Sequence, residues 1–199
     1  MDRDLSVPVE CGLVRRLLDG DFAVTAEITP PVSGSADALL AKVEPLRGRV
    51  DAINLTDGAS ARVHMSSLAA AAILVTHGME PILQMTCRDR NRIALMGDLL
   101  GASALGVKSV LILTGDDPAS GDQPDAKPVF DLKSEELLRI ASQMSTEGKI
   151  PSTGLRRLDG GVAPSTRPID APPRFFLGAA DTPTGERDDR WIAALRRKI

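Results

Sequence analysis

Four short aliphatic runs, each followed by polar and acidic residues and separated by stretches of helical periodicity, constrain this chain more than any other feature. They close on Glu27-Ile28-Thr29-Pro30-Pro31, Asn54-Leu55-Thr56-Asp57-Gly58, Gln84-Met85-Thr86-Cys87-Arg88-Asp89 and Leu113-Thr114-Gly115-Asp116-Asp117-Pro118. Parallel strands need a crossover between them, so this alternation predicts a parallel sheet covered by helices. Polar residues gathered where the strands finish point to a single catalytic mouth. A carboxylate such as Glu27 is costly at the end of a buried strand, which favours a site over a core role.

The element order follows from punctuation. A helix is expected over Pro8 to Leu18, released by Gly20 into a strand from Phe22 to Ile28. A helix over Ala36 to Glu44, capped by Ser33 or Ser35, precedes strand two at Val50 to Leu55. Met65, Leu68, Ala72 and Val75 mark a helix over Arg62 to Thr76, stopped by Gly78 before strand three at Glu80 to Thr86. The next helix is expected to start near Asp89 as its cap and to break at Gly101 and Gly106, before strand four at Ser109 to Thr114. A loop from Gly115 to Phe130 leads to a helix over Ser134 to Glu147. After an irregular stretch, a fifth strand at Arg174 to Ala179 and a helix at Arg187 to Lys198 finish the pattern. Strands apolar on both faces indicate a parallel α/β sheet covered by helices in one domain spanning 1–199, with a spacing that suits a (βα)8 TIM-barrel type; with about five βα units readable, either the sheet is open or the chain stops before closure.

Composition narrows the function classes. The net charge of −3, the scattered basic residues and only four Phe, one Trp and no Tyr argue against nucleic acid as a partner. The longest apolar stretch, Leu68 to Val75, is too short for a membrane span, and the charged start Met1-Asp2-Arg3-Asp4 is unlike a signal peptide. Two cysteines, Cys11 and Cys87, make neither a disulfide framework nor a zinc site and fit a cytoplasmic protein. His64 and His77 are too far apart for a metal motif on one helix.

Lesser features carry two readings each. Asp57 with Gly58 is a turn or a ligand group, and Asp117 a turn residue; Cys87 reads as a small buried residue. Arg88, Arg90 and Arg92 offer phosphate recognition or a solvated helix face. The Gly101 to Ser109 segment lacks the lysine placement of a phosphate loop, and no dinucleotide fingerprint is present.

Taken together, Glu27 before Pro30-Pro31, Thr56-Asp57-Gly58-Ala59, Gln84-Met85-Thr86-Cys87, Leu113 to Pro118 and Phe175-Phe176-Leu177-Gly178-Ala179-Ala180 before Pro183 resemble the amino-terminal part of the methylenetetrahydrofolate reductase family. The resemblance runs from Phe22 to about Ile199. It implies a flavin enzyme that reduces 5,10-methylenetetrahydrofolate to 5-methyltetrahydrofolate, with NADH or NADPH as donor. Glu27 matches the family's general acid, which assists ring opening to a 5-iminium cation. Asp116 matches the aspartate beside flavin and pterin, where negative charge favours a cationic intermediate. A proton-shuttling glutamate is expected to be buried beside a second carboxylate, and Asp116 is the one the resemblance supplies. Thr56, Gln84, Ala180 and Thr182 fall at flavin-contacting positions, and Arg197 and Lys198 at the basic pair near the cofactor's phosphates. Gln84 stands where His is common, Thr182 where an aromatic residue is common, and Trp191 and Ala194 replace polar residues, so FMN is an alternative to FAD. The resemblance implies three further strands beyond Ile199, and the reading expects a fragment, a truncated product or a half-barrel needing a partner subunit or a second copy. The competing readings are a relative that binds without turnover and another barrel enzyme acting on a phosphorylated metabolite.

Overall fold

The computed structural model describes residues 11–151, 167–181, 192, 193 and 196. The chain forms α1 (Gly12–Asp19), β1 (Thr25–Ile28), α2 (Ala36–Val43), β2 (Ala52–Leu55), α3 (Ser67–Thr76), β3 (Pro81–Thr86), α4 (Arg92–Ala104), β4 (Ser109–Leu113), α5 (Ser134–Glu147) and β5 (Phe176–Ala179). The five strands make one sheet in the order β1-β2-β3-β4-β5, and every pairing is parallel. Because the order never reverses, right-handed crossovers carry the intervening helices to the same face, and all carboxyl ends lie along one edge. That edge is the expected mouth.

The two faces of the sheet differ, which corrects the expectation of strands apolar on both. Side chains alternate along a strand. Ile53, Leu55, Leu83, Met85, Val110 and Ile112 point to one face and are buried under α3, α4 and α5 through Ala70, Leu74, Leu95, Leu99, Leu137 and Ile140. Replacing one such leucine by alanine costs about 3 kcal/mol. The alternate positions mix polar Thr25, Glu27, Asn54, Gln84 and Ser109 with apolar Ala52, Ile82, Leu111 and Phe176 on the other face. No helix among the described residues is long and apolar enough to cross a membrane.

At the amino end of that second face, α1 packs Leu13 and Val14 against Ala52, Ile82 and Phe176. Cys11, its N-cap residue, makes no side-chain cap. Glu80, just before β3, takes that role from another part of the chain: its carboxylate accepts from Gly12 N at 2.7 Å and Leu13 N at 3.2 Å, and from the Cys11 thiol. Burial first, then the Glu80 carboxylate, pushes the Cys11 thiol above its ordinary pKa. Gly20 ends α1 in the left-handed region at φ 77°, and Arg16 of the last turn pairs with Asp51 at 2.6 Å.

Several boundaries move. The first strand begins at Thr25, and Phe22 lies 87% exposed outside the sheet. The third helix begins at Ser67, the second helix stops at Val43, and strand five begins at Phe176. Asp89 does not cap α4: Asn91 does, its Oδ1 accepting from Ile93 N and Ala94 N at 3.1 Å each. Nor does Gly101 break α4, which runs on to Ala104 before Gly106 at φ 86° turns the chain. The expected helix at Arg187 to Lys198 falls almost wholly outside the described residues.

Candidate active site

Glu27 stands third in β1, in register with Asn54 of β2. Its Oε2 accepts two amide hydrogen bonds, from Asn54 Nδ2 at 3.0 Å and Gln84 Nε2 at 2.9 Å. Parallel pairing and the two-residue side-chain period bring these three residues from three strands onto one face, near the carboxyl edge. Glu27 is exposed, and its hydrogen-bonding neighbours are amides. Both observations correct the expectation of a buried acid beside a second carboxylate.

Asp116 lies past the end of β4 and is also exposed. It shares the carboxyl edge with Glu27 but has two strands between, about 14 Å along the ladder at ~4.8 Å per strand. Neither Glu27 nor Asp116 is among the residues lining the two cavities described below. Asp116 sits within electrostatic reach of Arg88. Gly115 turns the chain there at φ 99°, and a Cβ on it would come within 3.0 Å of Arg88 Cβ and 3.1 Å of Thr86 Cβ. The close crossing of the β4 exit over the β3 end therefore requires glycine.

The remaining expected cofactor residues divide. Thr56 is buried just past β2, and its Oγ1 has no hydrogen-bond partner among the described residues. Gln84 is 6% exposed and committed to Glu27. Ala180 follows β5 directly and is exposed. Thr182, Arg197 and Lys198, together with Trp191 and Ala194, lie outside the described residues.

The three arginines form ion pairs, neither a phosphate cradle nor a solvated face. Arg88 is 5% exposed, pairs with Asp89 at 2.7 Å and donates to Gly58 O at 3.1 Å. A Cβ at Gly58 would fall on the Arg88 guanidinium, and Gly58 itself is left-handed at φ 59°. Arg90 joins Asp57 to Asp98, and Arg92 grips Asp131 at 2.7 Å. The Arg92 guanidinium and backbone N–H hold the Asp131 carboxyl down at about 2. Asp57 takes hydrogen bonds from Ser67 Oγ at 3.1 Å, Thr86 N at 2.8 Å, Thr86 Oγ1 at 2.9 Å and Arg90. With its oxygens so occupied, Asp57 braces β2, α3 and β3; it is neither a simple turn residue nor an open ligand. Cys87 is buried, and desolvation raises its thiol to about 11, so it is inert as a nucleophile.

Two cavities frame the polar edge. One of about 210 Å³ lies on the Glu27 face and is lined by Leu13, Asn54, Ile82, Ser109, Leu111 and Phe176 among others. The other, about 270 Å³, sits between the loops after β2 and β4, beside His64, Arg88 and Asp122. Among the described residues no cluster of three His, Cys, Asp or Glu could hold a metal.

Sequence reading missed Asn54. The available signal was alternation: Asn54 lies two residues after inward Ala52 and two before Thr56, on the Glu27 face. Its Oδ1 is buried without a partner, as is Thr56 Oγ1. Native proteins leave few such groups unpaired, so two adjacent ones at a strand mouth match a place where a polar ligand completes the hydrogen bonding.

No curated protein matches this chain. The family model described as methylenetetrahydrofolate reductase matches residues 13–148, a span that includes Glu27, Asn54, Thr56, Gln84 and Asp116 and stops before Ala180. The match covers more than half of the sequence and points to an oxidoreductase of folate one-carbon metabolism. This chain belongs to the methylenetetrahydrofolate reductase family.

Proposed function

We propose that this protein reduces 5,10-methylenetetrahydrofolate to 5-methyltetrahydrofolate, with Glu27 as the general acid. The observation that carries the reading is an acid at the carboxyl edge, fixed by two amides on one oxygen, inside a span matched by the reductase family. A bound flavin, FAD or alternatively FMN, supplies the hydride, and NADH or NADPH is the proposed source of electrons. The unpaired Thr56 Oγ1 fits such a ligand, since it needs a polar partner that the described residues do not provide. Thr56, Gln84, Asp116 and Ala180 are the proposed cofactor contacts at the strand ends, with Thr182, Arg197 and Lys198 assigned by resemblance.

Glu27 then gives a proton to the folate nitrogen released as the ring opens, and Asp116 contributes negative charge at the same edge to favour the cation so formed. The exposed position of Glu27 leaves it accessible to a ligand from the mouth. We further propose that the sheet belongs to a (βα)8 barrel, because its sequential parallel order sends the crossovers to one face. Additional strands would pair on the outer edges of β1 and β5, and a partner subunit or second copy is one source of them. Both cysteines are free and buried, in keeping with a cytoplasmic location.

The test uses the full chain mixed with FAD or FMN. A bound yellow flavin that NADH or NADPH reduces and the folate reoxidises supports the proposal. Glu27→Gln should leave reduction by the nicotinamide intact and slow the folate step by about 100-fold or more. A colourless protein that no flavin reconstitutes, or equal loss of both half-reactions in the variant, refutes it.

A further inference from the structure

We infer that Asn54 is a positioning residue that reserves one oxygen of Glu27 for proton transfer. The inference rests on the proposed acid role of Glu27 and assigns work to a side chain that the sequence reading did not single out. A carboxyl group has two oxygens, and either can carry the transferred proton unless the surroundings distinguish them. Here they do. Asn54 Nδ2 and Gln84 Nε2 both donate to Oε2, at 3.0 and 2.9 Å, and no hydrogen bond reaches Oε1 among the described residues.

An oxygen that already accepts two N–H bonds is poorly disposed to hold a proton, because the proton would meet two donors with no acceptor opposite it. Oε1 carries no such conflict. In the neutral acid, Oε2 is the carbonyl oxygen held by the two amides, and the O–H is on Oε1, free to point at a ligand. After donation, the same two N–H bonds remain on the carboxylate. The side chain thus delivers its proton with no rearrangement of its supports, which is the geometric condition for an efficient acid.

Asn54 and Gln84 do not contribute equally. Gln84 is also a proposed cofactor contact, whereas Asn54 lies in direct register with Glu27, on the neighbouring strand. That register fixes the distance between the two backbones, so the Asn54 amide reaches Glu27 as part of the ladder itself. Its Oδ1 is buried with no partner among the described residues, and the bond from Nδ2 orients the amide: turning the group over would set that oxygen against Glu27 Oε2.

A double-mutant cycle on the flavin-loaded full chain tests the assignment. Asn54→Leu keeps the size and removes the donor; it should slow the folate half-reaction by about 10-fold, the order expected for one hydrogen bond to a charged group. In the Glu27→Gln background the same substitution should add less than about 2-fold, because the group it positions is gone. Asn54→Ala, which removes the amide without adding a branched apolar side chain or a charge beside Glu27, should reproduce the loss and its disappearance. Equal slowing in both backgrounds marks Asn54 as structural only and overturns the inference while the acid role stands. If Glu27→Gln leaves the folate step intact, the acid role falls and this inference falls with it.

Discussion

Two glutamates stand at opposite ends of one sheet and are used in opposite ways. At the amino end, both oxygens of Glu80 are occupied: two backbone N–H groups of α1 and the Cys11 thiol bind them. At the carboxyl end, Glu27 has one oxygen held by Asn54 and Gln84 and the other left open. Asp57, a few residues along the same edge, resembles Glu80 in having its acceptor sites filled from several elements. An acid with both oxygens engaged by its own chain holds the fold together. An acid with one oxygen to spare can address a ligand.

Stability measurements can break that contrast. The largest expected effect belongs to Asp57→Ala, which leaves the Thr86 N–H and hydroxyl without their acceptor and Arg90 with Asp98 as its remaining carboxylate partner; loss of about 3 kcal/mol in denaturant unfolding is expected. A change near zero would show that Asp57 is not the brace described. Glu80→Ala comes next at about 2 kcal/mol, since it removes the cap of α1 and leaves backbone donors without an acceptor. Amide hydrogen exchange at Gly12 and Leu13 should accelerate in that variant ahead of exchange in the central strands. Unchanged exchange would mean that Glu80 does not anchor the helix. Glu27→Gln should be smallest, within about 0.5 kcal/mol of the parent protein, as expected for an exposed position whose role is chemical. A loss as large as that of Asp57→Ala would erase the distinction between the two kinds of acid.

How far the sequence foretold this depended on the range of the interactions. Local signals did well where one short stretch determines the outcome. Ser134 to Glu147 is helical over the expected residues, and Gly78 and Gly106 mark left-handed exits. Strand starts were read too early, because aliphatic character continues into Phe22 and Val24 although neither residue is in β1. The cap of α4 was misread for a similar reason: Asp89 and Asn91 are both competent, and only the buried guanidinium of Arg88 draws Asp89 away. The environment of Glu27 was less legible. Its edge position follows from sequence order, but its two amide donors come from 27 and 57 residues away in the chain. Asp57 was ambiguous because its donors come from α3, β3 and the loop after β3, contacts that no motif encodes. The two-residue period would have placed Asn54 beside Glu27 had it been applied across strands.

The docking of α1 also sets a direction of approach. Leu13 helps to line the 210 Å³ cavity from the amino end, so this hollow has a helical floor. A molecule entering along that face meets the Asn54 amide and the Thr25 and Ser109 hydroxyls beside Ile82, Leu111 and Phe176. Its polar end would be read at the rim, and its depth of entry would be limited by how firmly Glu80 keeps that floor in place.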